Sequence, residues 1–310
     1  MPLAVGPAMS ATFGRGEAVF TATLIATSLS QGDLSAAADA LAQAGCAPTV
    51  RGWIDEGVAA DLLFALAPDA GRAALEGALV ATDVIVQPEA ARAKRLLIAD
   101  MDSTMITVEC IDELADYAGI KPQIAAITEA AMRGELDFEA ALDARVALLA
   151  GLDEAVIARC LAERVRIMGG AKTLVRTMRA RGATAILVSG GFTRFADPVA
   201  RDIGFDRAIA NVLEIADGTL TGRVTKPIVG SDTKAATLAA ATASLGLDPA
   251  ETLAVGDGAN DLAMIRAAGL GVAYHAKPIV AAAAAARVQH NDLTALLYAQ
   301  GIARADWVVA

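Results

Sequence analysis

Two carboxylates two residues apart, Asp100 and Asp102, follow directly on the apolar run Leu96-Leu97-Ile98-Ala99. Four aliphatic residues that stop abruptly at charge have the length and character of a short, fully buried strand of a parallel sheet. Open α/β sheets bind their ligands in the crevice beyond the carboxyl ends of such strands. A carboxylate emerging there can act as a nucleophile, and a second one beside it can carry protons. Acidic pairs are also common in ordinary loops, so the pair alone assigns no chemistry.

The same layout recurs twice. Ala185-Ile186-Leu187-Val188 runs into Ser189-Gly190-Gly191, and Leu253-Ala254-Val255 runs into Gly256-Asp257-Gly258-Ala259-Asn260-Asp261. Each glycine cluster, taken singly, reads as a plain strand-to-helix turn. Together the three segments deliver carboxylates, a hydroxyl and closely approachable backbone N–H groups to one sheet edge, a set suited to an anion and a hard cation. Between the second and third, Ser231 reads as the N-cap of a helix that places Lys234 in its first turn. The helix dipole disfavours a cation there. Lys234 is therefore either a solvated lysine or one that shares an anion, phosphate above all, with the helix N-terminus.

In order, Asp100-Met-Asp-Ser-Thr, Ser189-Gly-Gly, Lys234 and Gly256-Asp-Gly-Ala-Asn-Asp resemble the four motifs of the haloacid-dehalogenase-like phosphatases. From roughly Lys94 onward the chain is most similar to the branch that hydrolyses O-phosphoserine in the last step of serine biosynthesis. The resemblance implies that Asp100 attacks phosphorus to form an aspartyl-phosphate. Asp102 would protonate the leaving oxygen and later activate water. It also implies Mg²⁺ held by the Asp100 and Asp257 carboxylates and the Asp102 backbone carbonyl. Ser189, the Gly190 N–H and Lys234 would cradle the phosphoryl oxygens, and Asp261 would orient the metal shell or Lys234 without ligating.

Substrate choice turns on a mainly helical insertion between Thr104 and Ile167, the expected cap. In the helix expected over Glu135–Leu149, Phe138, Leu142, Arg145 and Leu149 share one face. By itself Arg145 reads as a salt-bridged or snorkelling arginine. The resemblance makes it the clamp on the substrate carboxylate and makes Glu109, otherwise a solvated carboxylate at a helix start, the partner of the substrate ammonium. Phe138 would pack over the ligand, and Asn260 would touch substrate or phosphate. A carboxylate clamp paired with an ammonium clamp describes an α-amino acid with a phosphorylated hydroxyl.

These pieces need a scaffold: an α/β fold with a Rossmann-like parallel sheet, a helical cap inserted after the first motif, and a small N-terminal α+β domain. Residues 94–310 form the expected phosphatase domain, with the cap over about 108–167. Residues 1–85 carry none of the motifs. Their order of a strand at Val19–Thr27, a helix at Leu34–Ala44, a strand at Pro48–Ile54 and a helix at Asp69–Leu79 resembles an ACT-like domain, expected to pack or to form a homodimer rather than to sense an amino acid. Asn211–Val224 reads as a β-hairpin, and alanine-rich Pro278–Ala286 as a helix.

Composition agrees. The chain has 310 residues, 55% hydrophobic and 4% aromatic, with a formal charge of −10. That balance argues against nucleic acid as a partner, and attraction of an anionic substrate must be local. Cys46, Cys110 and Cys160 are too scattered for a zinc site or disulfide framework and suit a reducing cytoplasm. The apolar run Ala18–Leu29 lacks the basic flank of a signal peptide, and no stretch has the length of a membrane span. Two alternatives remain: a phosphatase or phosphotransferase for another small phosphorylated amino acid, and a non-enzymatic amino-acid-responsive regulator.

Overall fold

The computed structural model describes residues 19–132 and 135–309. The start of the 1–85 region therefore lies outside the described residues. The chain divides into two compact units, the first comprising residues up to Ala93 with Ala286–Asn291 and Ala295–Trp307, the second Lys94–Ala285 with two short later segments.

In the first unit, β1 (Val19–Ile25), α1 (Gln31–Gln43), β2 (Pro48–Asp55), β3 (Ala59–Ala65), α2 (Pro68–Leu75) and β4 (Asp83–Pro88) follow one another. The strands form an antiparallel sheet in the order β2-β3-β1-β4. Ser30 caps α1 reciprocally with Asp33, whose carboxylate accepts the Ser30 N–H at 2.8 Å. Leu24, Leu34, Leu41, Leu62, Phe64 and Leu75 fill the core between sheet and helices.

The second unit begins with β5 (Leu96–Ala99), every residue of which is buried. The insertion follows as α3 (Cys110–Tyr117), α4 (Lys121–Met132), α5 (Phe138–Ala147) and α6 (Ala155–Glu163). Its two ends are pinned together where Ile106 bridges Ile167 and the Met168 N–H donates to Met105 O at 2.9 Å. The main layer resumes with α7 (Ala171–Ala180), β6 (Thr184–Phe192), α8 (Thr193–Ile203) and β7 (Arg207–Asn211). After the antiparallel hairpin β8 (Leu213–Ala216) and β9 (Thr219–Val224) come α9 (Ser231–Ser244), β10 (Thr252–Gly256), α10 (Leu262–Ala267), β11 (Leu270–Tyr274) and α11 (Pro278–Ala283).

Strands β11, β10, β5, β6 and β7 lie side by side in that order, all parallel. The chain leaves β5 toward β6 on one side and later returns to β10 on the other. The point where strand order reverses thus falls between β5 and β10, whose carboxyl ends carry Asp100 and Asp257. This is where an open parallel sheet places its ligand site.

Three local expectations need correction. Ser231 is the first residue of α9, and Gly230 is its N-cap. The second motif is not a turn after a four-residue strand: β6 runs through Ser189-Gly190-Gly191 to Phe192, bulging against β7. Helix α11 ends at Ala283, because Ala286–Val288 forms a further strand, β12. The helix α12 (Ala295–Ala299) follows, and β12 and α12 group with the first unit. Among the described residues no helix is long and apolar enough to cross a membrane, and all three cysteines are buried free thiols.

Candidate active site

Asp100 leaves β5 with its N–H bonded to Val255 O at 3.0 Å, which ties the first motif to the strand carrying the last. Helix α9 brings in Lys234, completely buried, whose Nζ donates to Asp100 Oδ1 and, at 2.6 Å, to Asp261 Oδ1. Carboxylate oxygens of Asp100, Asp257 and Asp261 lie within 4.8 Å of one another. Lys234 is accordingly no solvated lysine.

The charges do not balance. Three carboxylates face one ammonium, leaving a deficit of two positive charges when all are ionised. Burial and the neighbouring Asp261 push the Asp257 carboxyl up to about 6, against the opposing Thr104 hydroxyl. Burial also pushes Asp100 upward despite its lysine. Lys234 moves the other way from a buried amine: desolvation opposes its charge, yet Asp100 and Asp261 outweigh it and hold the ammonium protonated. An all-oxygen donor set with a deficit of two charges fits a hard divalent cation.

Asp102 occupies a different environment. Its Oδ1 is buried and has no hydrogen-bond partner among the described residues. Burial, then the negative charge of Glu109, raise its carboxyl to about 7, partly offset by the thiol and N–H of Cys110 at the start of α3. A carboxyl that holds its proton near neutrality suits an acid–base role. A Cβ on Gly191 would stand 3.2 Å from Asp102 Oδ2 and 3.0 Å from Ser189 Oγ, so the absent side chain is what lets the second motif close on the first. On the opposite side, a Cβ on Gly256 would fall 2.4 Å from Asp261 Cγ, and only glycine admits that carboxylate. The Gly191 N–H donates to Ser189 Oγ at 2.9 Å, and Ser189 is buried.

Of the remaining sequence-derived residues, Glu109, Phe138 and Asn260 adjoin this centre, while Arg145 is linked to it only through the charge of Glu109. Glu109 is exposed and accepts the Ser103 hydroxyl at 2.6 Å, and its charge is felt by both Asp102 and Asp257. Half-buried Arg145 donates Nε to Ala141 O at 3.2 Å, while the carboxylates of Asp112 and Glu109 act on its guanidinium. Phe138, the first residue of α5 after its Asp137 cap, lies against the backbone of both Gly190 and Gly230, 3.2 Å from where either Cβ would be. Asn260 is half-buried, its Oδ1 2.4 Å from a would-be Gly258 Cβ.

Sequence reasoning left Asp261 outside the ligand set. Its two oxygens are engaged, Oδ1 by Lys234 and Oδ2 by the Gly258 N–H at 3.0 Å, so it orients both the lysine and the fourth-motif turn. Thr104 of the first motif, to which the sequence pattern assigns no role, donates its hydroxyl to Asp257 Oδ1 at 3.1 Å. Cys110 was not singled out; a lone thiol at a helix start carries no signal until the fold puts it on Asp102.

Comparisons with known proteins align with this geometry. The chain matches the haloacid dehalogenase-like hydrolase family over residues 97–266. It is 48% identical over 235 residues to a phosphoserine phosphatase of Streptomyces coelicolor, covering 75% of this chain and 57% of that one. The chain spans between 52% and 64% of the length of three such curated relatives. Among solved structures it resembles an unliganded probable phosphoserine phosphatase of Vibrio cholerae, with TM-score 0.73 and 32% identity over 93% of this chain and 88% of that one. A phospho-aspartyl intermediate analogue of a phosphoserine phosphatase matches at TM-score 0.62 and 36% identity, over 66% of this chain and 98% of that one.

Proposed function

The chain belongs to the haloacid dehalogenase-like hydrolases, and we propose that within them it is a phosphoserine phosphatase, releasing serine and inorganic phosphate from O-phosphoserine. The observation that carries this reading is the buried cluster in which Lys234 bridges Asp100 and Asp261 beside Asp257.

Asp100 attacks the phosphorus in line. A bond forms from its carboxylate oxygen to phosphorus as the bond from phosphorus to the serine oxygen breaks. Asp102 delivers its proton to that leaving oxygen, which is where a carboxyl raised to about 7 with an unpartnered oxygen is useful. Water then attacks phosphorus, gives a proton back to Asp102, and frees Asp100 as phosphate departs. Lys234 and the Ser189-Gly190 segment receive the phosphoryl oxygens where charge concentrates in the transition state. The Asp100 and Asp257 carboxylates and the Asp102 carbonyl would hold Mg²⁺, which would supply positive charge to offset the repulsion between an anionic nucleophile and a dianionic ester. Asp261, with both oxygens engaged, holds Lys234 in place.

Specificity comes from the insertion. Arg145 pairs with the substrate carboxylate and Glu109 with its ammonium, and the charge of Glu109 reaches Arg145, the proton carrier Asp102 and the metal-ligating Asp257. Three buried free thiols favour the cytoplasm as its compartment. The test is phosphate release with Mg²⁺ from phosphoserine, phosphothreonine and phosphohomoserine, with and without an acceptor alcohol. Phosphoserine should lead by at least tenfold in kcat/KM, with water the main acceptor. Faster turnover of another phosphoamino acid, or transfer to the alcohol, would reassign the substrate or the reaction.

A further inference from the structure

Strand β6 keeps regular register with β7 as far as Val188 opposite Ile209 and regains it at Phe192 opposite Asn211. Three residues of β6, Ser189, Gly190 and Gly191, therefore face the single residue Ala210. A bulge of this size takes backbone groups out of the ladder, and buried ones must find other partners. Glycine peptides at such a bulge are also free to rotate, because no Cβ restricts them.

Asn211, just after the bulge, is 1% exposed. Its Nδ2 donates to Gly190 O at 2.9 Å and to Val229 O at 3.2 Å, and its Oδ1 accepts the Val229 N–H at 2.7 Å. Two carbonyls on one end and an N–H on the other admit only this orientation of the amide. The amide thus joins two segments that approach the phosphoryl group from different parts of the chain. One is the serine-glycine bulge. The other is Val229-Gly230, the entry to α9, where Gly230 O accepts the Lys234 N–H at 3.1 Å.

We propose that Asn211 is the positioning residue of the phosphoryl cradle, an inference that rests on the phosphatase reading above. In a trans peptide the carbonyl and the following N–H point in opposite directions. Holding Gly190 O therefore sets the direction of the Gly191 N–H, which donates to Ser189 Oγ and leaves that hydroxyl's own proton for an acceptor elsewhere. Holding Val229 through both its N–H and its carbonyl sets where α9 starts, and with it the depth at which Lys234 reaches Asp100. Asn211 touches neither substrate nor the reacting atoms. It acts through Ser189 and Lys234.

The experiment uses the full chain with Mg²⁺ and compares wild type with Asn211→Asp and Asn211→Ala. Readouts are kcat and KM on O-phosphoserine and on an aryl phosphate, binding of inorganic phosphate by calorimetry, and melting temperature. Both variants should lose roughly 10–100-fold in kcat on both substrates, bind inorganic phosphate more weakly by a similar factor, and keep the wild-type preference between substrates. Asn211→Asp should be the worse, since it turns an acceptor toward two carbonyls. If melting falls while kcat, KM and phosphate binding stay within twofold, Asn211 is structural only and the assignment is wrong. Should either fail to fold, Asn211→Ser, which retains one donor in less volume, decides by the same phosphate-binding criterion. An inactive wild type would overturn the phosphatase reading, whereas an active wild type with phosphate affinity unmoved in the variants overturns only the role of Asn211.

Discussion

Each unit buries a cation among carboxylates, and the two clusters are built to different rules. In the first, the Arg92 guanidinium takes both oxygens of Asp61 at 2.6 and 2.8 Å. It also bonds Thr23 Oγ1 at 3.1 Å and the carbonyls of Tyr298 and Ala299 at the end of α12, at 3.0 and 2.8 Å. Asp61 Oδ1 accepts the Thr23 hydroxyl as well. Both oxygens of the principal anion, Asp61, are engaged, with Glu89 a more distant second carboxylate at 3.9 Å. In the second unit Lys234 serves two carboxylates with a third beside it, and Asp102 Oδ1 is left without a partner. Burial is common to both, so burial does not mark function. Nor does an unpartnered buried oxygen, since Gln87 Oε1 in the first unit has none among the described residues either; the surplus of negative charge in the second cluster is what leaves it something to offer a cation.

Substitutions at the two centres should therefore differ in kind. The largest effect expected is at Asp100: Asp100→Asn should reduce kcat on phosphoserine by at least about 10³-fold. The melting temperature of the metal-free protein should hold or rise, since the change removes one surplus negative charge and Asp261 still pairs with Lys234. A marked fall in melting temperature would put Asp100 in the same structural class as Asp61.

Asp61→Ala should do the reverse. Stranding Arg92 in a buried site should cost about 3–5 kcal/mol of stability, read by urea unfolding. A loss below about 1 kcal/mol would show that the Arg92 cluster is better solvated than its geometry indicates.

The excess of acid also predicts a pH dependence in the metal-free protein. Asp102 and Asp257 titrate near 7 and 6 when folded, above the ordinary carboxylate range near 4. Below about 4 both states hold these protons and there is no effect. Between about 4 and 7 the unfolded chain has released protons that the folded one retains, so stability falls as pH rises, by a few kcal/mol in all. Saturating Mg²⁺ should flatten this slope, and EDTA should restore it. Melting scans from pH 4 to 8 would show it, and an upward slope would mean that the carboxyls are already compensated.

The smallest effect separates binding from chemistry within the second unit. Arg145→Ala should lower kcat/KM on phosphoserine about 10–100-fold, the worth of hydrogen bonds to a charged group, and change an aryl phosphate less than threefold. Equal losses would move Arg145 from the substrate clamp to the structure of α5.

Much of this centre was legible without coordinates. The apolar runs ending at Asp100, Ser189 and Asp257 mark buried strands by length and composition, and the parallel sheet brings such strand ends to one edge. What the residues could not reveal were relations between distant positions. The Asn211 amide reaches Gly190 and Val229 across 21 and 18 residues, and Arg92 reaches Ala299 across 207. Neither has a periodicity or motif to betray it. Ser231 was misread as a cap for a local reason: serine is a favoured cap, but Gly230 is the residue held by its neighbours at the bend.

The sequence by itself determined the kind of chemistry, because nucleophile, proton carrier and cation ligands are side-chain types attached to strand ends whose direction local patterning sets. Only the tertiary structure decided the state of those groups. Whether Lys234 is solvated or locked, whether Asp102 keeps a proton near neutrality, and whether Asp261 is a bystander or a brace depend on desolvation and on charges contributed by other segments. Such energies arise from what surrounds a residue in space, and spatial neighbours need not be neighbours in the chain.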